Sequence, residues 1–187
     1  MTNLDMKKKV LGLIEELNPN SELLTDDPDI ATKYNEVTNQ VMFRLARIKK
    51  IPKYVGMAVN EGDLIAFADI EKECGYEIYQ INMVSGVNYV SKASGTVLKI
   101  LESGTAEVEV FVYPERITEK TKDKAYEFEL SPDVLEIMPY GIAADLLKSD
   151  VSAEYGSVYA TTYESLLNQL DPRYQMTSVY IEGGISV

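Results

Sequence analysis

Residues 27–50 read DPDIATKYNEVTNQVMFRLARIKK, and the rest of the chain is read outward from them. Asp27 is a natural N-cap, and Pro28 stands at the first helical position, where its missing N–H costs nothing. Ile30, Tyr34, Val37, Val41, Leu45 and Ile48 follow at steps of 4, 3, 4, 4 and 3, the stripe of an amphipathic helix. Asp26, Asp27 and Asp29 lie at its positive end; Arg47, Lys49 and Lys50 lie at its negative end. The helix is about 35 Å long at 1.5 Å per residue, and Pro52 ends it.

Upstream, Asn3 is expected to cap a first helix to about Leu17, which Asn18-Pro19-Asn20 stops. Lys7 to Lys9 followed by Val10 to Ile14 imitates a signal peptide, but Glu15 and Glu16 cut the apolar run. Downstream, Asp63–Ile70, Tyr76–Val84 and Thr96–Leu101 are rich in β-formers, with Gly75, Gly86, Gly95 and Gly104 between them. Ala106, Val108, Val110 and Val112 alternate with Glu107, Glu109, Phe111 and Tyr113. Tyr126, Phe128 and Leu130 alternate with Glu127 and Glu129 in the same way. These two runs are expected to form a hairpin with a long exposed tip, Pro114 to Lys124. Ser131-Pro132 opens a third helix to about Lys148, with a bend expected at Pro139. Ser149, Asp150 or Ser152 caps a fourth to about Leu170. The last stretch, Arg173 to Val187, has aromatics but no helical period.

Composition narrows the classes. The chain has 187 residues, 45% apolar and 26% charged, as a soluble globular protein of one domain or one domain with a small appendage. Its 18 basic and 30 acidic residues leave a net charge of −12, against the basic footprint of a free duplex-binding protein. The charge is uneven: residues 1–50 are neutral, while 51–130 and 131–187 each carry −6. Histidine is absent, which removes Ser-His-Asp and Cys-His catalysis and imidazole zinc sites. Cys74 is the single cysteine, so no internal disulfide can form. No run of 18 apolar residues suggests a membrane span, and a soluble protein, cytosolic when made, is expected.

The expected fold is therefore α+β: a four-helix bundle built from the N- and C-terminal helices, an inserted antiparallel β subdomain and an extended C-terminal tail. Its parts are residues 1–50, the first half of the bundle; 51–130, the β-rich insertion with the long hairpin; 131–171, the second half; and 172–187, the arm.

Few residues suggest chemistry. Tyr155, Tyr159 and Tyr163 repeat every four residues on the last helix, as a core stripe, an aromatic platform, or a surface buried on assembly. Asp26, Asp27 and Asp29 lack the glycine and glutamate of a calcium loop and are explained by capping. Glu107 and Glu109 are expected opposite Glu127 and Glu129 on a solvated sheet face. Lys120, Lys122 or Lys124 from a neighbouring subunit's hairpin tip would relieve the repulsion. Cys74 has no histidine to activate it, and the glycines form no nucleotide-binding fingerprint. No catalytic, cofactor or metal residue is expected.

The stretch Tyr126 to Leu147, YEFELSPDVLEIMPYGIAADLL, has Pro139-Tyr140-Gly141-Ile142-Ala143-Ala144 at its centre. With the order helix, helix, strand-rich insertion, helix, helix and pendant tail, it resembles the head–tail connector or adaptor proteins of tailed bacteriophages, the tail tubular protein A type among them. The resemblance implies a non-enzymatic virion protein of the neck. It would form a ring, commonly of twelve subunits, beneath the portal, continue the DNA channel without sequence-specific binding, and dock tail or neck proteins. It would pass through the host cytoplasm during assembly and need no membrane. Arg173–Val187, with Tyr174, Tyr180, Ile181, Ile185 and Val187, would be the portal-reaching arm; a merely loose terminus is the plainer reading. An acidic channel wall suits DNA that must slide rather than stick. The rival readings are a soluble cytosolic binding or regulatory protein without catalysis, and an enzyme working through carboxylates, lysine or tyrosine.

Overall fold

The computed structural model describes residues 1–20, 22, 24–148 and 153–170. Within them, five α-helices and six strands form a mixed α+β fold with two hydrophobic cores. Helix α1 (Asn3–Leu13) begins one residue earlier than the sequence suggested. The Thr2 hydroxyl accepts from the Asp5 N–H at 3.2 Å while the Asp5 carboxylate accepts from the Thr2 N–H at 3.1 Å. Asn3 is buried in the first turn and donates to Asp123 at 2.7 Å. The helix stops at Leu13, short of Leu17, and Glu15 turns the chain with a φ of 61°. Helix α2 (Pro28–Ile48) follows its spacing. Asp27 Oδ1 accepts from the Asp29 and Ile30 N–H groups at 2.8 and 3.3 Å, and Ile30, Tyr34, Val41 and Leu45 are buried.

The β body comprises β1 (Pro52–Val59), β2 (Leu64–Ala66), α3 (Phe67–Cys74), β3 (Ile78–Ser85), β4 (Tyr89–Lys92), β5 (Val97–Ile100) and β6 (Gly104–Val112). Two antiparallel sheets, ordered β1-β6-β3 and β2-β5-β4, enclose a core with Val55, Ile65, Leu98 and Ile100. Along β6, Ala106, Val108, Val110 and Val112 point into this core and are fully buried. The expected strand Asp63–Ile70 is instead the short β2 followed by α3. The Asp69 carboxylate accepts from the Ala66 N–H at 2.8 Å, and Gly75 closes the helix at φ 75°, a conformation that favours glycine. Ile70 then becomes a fully buried core residue on a helix.

Helix α4 (Pro132–Leu147) is the hub of the other core. It is apolar nearly all round, with Val134, Met138 and Ile142 fully buried, and α1, α2 and α5 (Ala153–Leu170) pack on it. The expected four-helix bundle is not present among the described residues. Helix α1 is 11 residues against the 21 of α2, and much of the core beside it is closed by non-helical chain. Tyr113, Ile117, Phe128 and Leu130 are buried there among the helices.

The expected long hairpin is corrected by the same stretch. β6 pairs with β1 and β3, and residues 126–130 form no strand, only a single bridge between Thr2 and Glu127. Their alternation places Phe128 and Leu130 in the helical core, while backbone bonds run to the start of α1: Asn3 N–H to Tyr126 C=O at 3.0 Å and Phe128 N–H to Met1 C=O at 3.2 Å. Nor is Pro114–Lys124 wholly an exposed tip. Ile117 is buried, and Asn39 of α2 holds it at both ends, donating to its C=O at 2.8 Å and accepting from its N–H at 2.9 Å. The β body joins the helices where its two ends meet, with the Val112 N–H bonded to the Ile51 C=O at 3.1 Å.

Candidate functional site

The tyrosines of α5 divide along the helix. Tyr163 is buried against Gly141 of α4, where an added Cβ would lie 2.7 Å from the tyrosine ring. Burial holds its hydroxyl above the usual phenol range, and the oxygen has no hydrogen-bond partner among the described residues. A groove of about 510 Å³ opens beside it, edged by Arg44 and Asp145, which pair at 3.4 Å. Half-buried Tyr159 donates its hydroxyl to the Leu13 carbonyl, tying α5 to the end of α1. Tyr155 is 69% exposed at the mouth of a second groove of about 330 Å³, beside Ile14 and Leu147. One stripe therefore serves both the core and the surface.

The carboxylates expected to oppose one another are apart. Glu109, on the outer face of β6, accepts from the Tyr54 hydroxyl at 2.9 Å and the Asn82 amide at 2.6 Å. Glu129 accepts from the Tyr76 hydroxyl at 2.8 Å and lies 3.6 Å from Lys53, while Glu127 bridges to Thr2. Lys120, Lys122 and Lys124 are exposed around Asp123, which itself pairs with Lys7 at 2.7 Å. Tyr174, Tyr180, Ile181, Ile185 and Val187 lie outside the described residues, as do the expected caps Ser149, Asp150 and Ser152.

The N-terminal aspartates have structural partners: Asp27 caps α2, Asp29 pairs with Lys33 at 3.0 Å, and Asp26 accepts from Asn18 at 2.9 Å. Among the described residues no group of three or more acids and cysteines could hold a metal ion, and no helix is long and apolar enough to cross a membrane. The Cys74 thiol is half-buried, 3.6 Å from the Tyr76 carbonyl.

Sequence reading missed a seam of cations and aromatics between the two cores. Arg47 donates to the Tyr113 hydroxyl at 2.6 Å; Lys50 lies 4.5 Å over Phe111 and Arg116 lies 4.7 Å over Phe43. Phe43, Tyr113, Tyr79 and Phe111 follow one another at ring separations of 4.7, 4.9 and 6.3 Å. The Tyr79 hydroxyl donates to the Ala46 carbonyl at 2.9 Å, and burial pushes it up to about 12. The three-residue spacing of Arg47 and Lys50 was the available signal for two of these cations; Arg116 comes from a distant part of the sequence.

Nine large hydrophobic residues are more than a third exposed among the described residues. Eight of them fall on three surfaces: Tyr155 and Val158 in the first half of α5; Tyr54 and Met83 on the outer face of sheet β1-β6-β3; and Leu64, Tyr89, Val90 and Leu101 on and beside sheet β2-β5-β4; Leu17 lies in the chain after α1. Leu64 and Val90 flank Lys99 in one cross-strand row. The chain matches no protein-family model and no curated protein sequence.

Proposed function

We propose that this protein is a structural subunit of a tailed-bacteriophage neck, a ring-forming head–tail connector that binds the portal, continues the DNA channel and docks the tail or neck proteins. The observation that carries the reading is the separation of exposed apolar residues into three surfaces. Scattered single residues are ordinary, but grouped ones mark contact sites, and a ring subunit needs both lateral and axial contacts. Two further features support it. The stretch Tyr126 to Leu147, on which the likeness to connector proteins rests, runs into helix α4, on which the other terminal helices pack. The net charge of −12 suits a wall along which phosphates slide.

In this reading the subunit is not an enzyme. The ring has about twelve copies by resemblance to that family, Arg173–Val187 is the portal-reaching arm, and the protein resides in the virion neck after assembly in the host cytoplasm. Lys120, Lys122 and Lys124, with Tyr155 at the exposed end of the α5 stripe, are offered to neighbouring subunits or the tail, whereas Tyr163 is taken up by the core and Tyr159 by the Leu13 carbonyl.

The test is to mix the protein with the portal encoded in its own genome neighbourhood, then apply pull-down and negative-stain imaging. A ring capping the portal is the expected result. An absence of binding across a range of salt concentrations would overturn the reading. Removing residues 172–187 and retaining full portal binding would overturn the arm alone.

A further inference from the structure

Sheet β1-β6-β3 ends in two strands whose outer edges pair with no other strand among the described residues. Proteins guard open edges with charge, proline, bulges or brevity. In sheet β2-β5-β4 the edge strands are three and four residues long, which is protection by brevity. β1 and β3 are eight residues each and carry one charged side chain between them, Lys53, in a chain that is 26% charged. β1 keeps an unbroken register with β6 from Pro52 to Val59. The bulges of β3 fall between Ile78 and Met83, so Met83–Ser85 is regular.

The outer face follows the same pattern. Tyr54, Glu109 and Met83 share one cross-strand row, with Tyr54 63% and Met83 54% exposed. Both oxygens of Glu109 are already engaged, by Tyr54 and Asn82, so the row offers its apolar ends outward. β1 and β3 are each antiparallel to β6 and hence parallel to one another, on opposite edges of one sheet. Contact between two such different edges is heterologous, so it repeats from copy to copy and closes into a ring when the rotation allows. The charges beside the strand starts are already engaged, Lys50 over the Phe111 ring and Glu77 with Arg116 at 3.5 Å, so the open edges and the apolar row carry the contact.

We infer that β1 of one copy pairs in parallel with β3 of the next, so that the sheets of successive subunits run on as one. The inference rests on the ring reading above and names its lateral interface. Met83 of one copy then stands beside Tyr54 of its neighbour in a thioether–aromatic contact.

Cysteine pairs test this in the full chain carrying Cys74→Ser, assembled with the portal. Tyr54→Cys is combined in turn with Gln80→Cys, Met83→Cys and Ser85→Cys, which covers one step of strand slippage either way. Portal-capping rings whose subunits link into an oxidation-dependent ladder, absent from the single variants, are the expected result. Rings without a ladder for any pair would overturn the interface and leave the ring standing. An unaltered protein that forms no ring would overturn both. Tyr54→Lys with Met83→Lys gives a second measure, since both side chains are exposed and the fold should persist by circular dichroism. Ring yield should fall by at least about tenfold, because like charges facing across an interface oppose association; undiminished rings would overturn the inference.

Discussion

The two cores of this molecule are built from opposite kinds of chain. The β core is drawn from one continuous stretch, residues 51–112, and is filled mainly by valine and isoleucine. The helical core collects α1, α2, α4, α5 and the segment 113–130, and includes methionines, phenylalanines and tyrosines among its larger members. The first can close from nearby residues, whereas the second needs both halves of the chain in place. The helical side therefore depends on the few polar bonds that position its long connections, and the β side depends on side-chain volume.

The largest expected effect follows from the tyrosines. Tyr34, Tyr126 and Tyr163 belong to or pack against the helical core, and burial raises each hydroxyl; Tyr79, at the seam, reaches about 12. A group whose pKa is raised on folding contributes stability that is complete below its ordinary value, here 10.0, and is lost as pH rises through the folded value. Helical amides should lose hydrogen-exchange protection before β6 amides as pH rises above 10. Simultaneous loss would break the comparison.

Volume changes come next. Ile142→Ala, at a fully buried position of α4, should cost about 2–5 kcal/mol in urea unfolding, while Ile100→Val in the β core should cost about 0.5–1.5 kcal/mol. Asn39→Ala removes both bonds to the Ile117 backbone and should cost about 1–3 kcal/mol, with faster exchange of the Ile117 amide as its local signature. Smallest is Lys33→Ala, which breaks an exposed pair with Asp29 and should change the unfolding free energy by less than about 0.5 kcal/mol.

The same contrast explains what could be read from residues alone. α2 was legible because its cap, proline and stripe agree in one short window. The β6 alternation was legible for the same reason. The span 126–130 was misread because its alternation is real but faces helices; nothing local distinguishes a strand partner from the start of α1. α3 was hidden by β-forming residues around Leu64 and Ile65, although Asp69 and Gly75 marked its ends. β1 was missed because Pro52 reads as a terminator and Gly56 interrupts its strand propensity. Of the candidate surfaces, the tyrosine stripe was visible as a stripe, while its gradation from buried Tyr163 to exposed Tyr155 depends on Gly141 across the helix pair. The charge-poor edges of β1 and β3 needed the strand order before their composition meant anything.

The bond between Val112 and Ile51 brings together the two points where the β body leaves and rejoins the helices. A graft attached at adjacent points leaves the host's chain path almost unchanged, which is the geometry that tolerates insertion and replacement. Evolution can therefore lengthen, trim or exchange residues 52–111 as a cassette, changing what the protein meets on one side, provided the replacement supplies the packing and the bond to Ala46 that Tyr79 gives the helices.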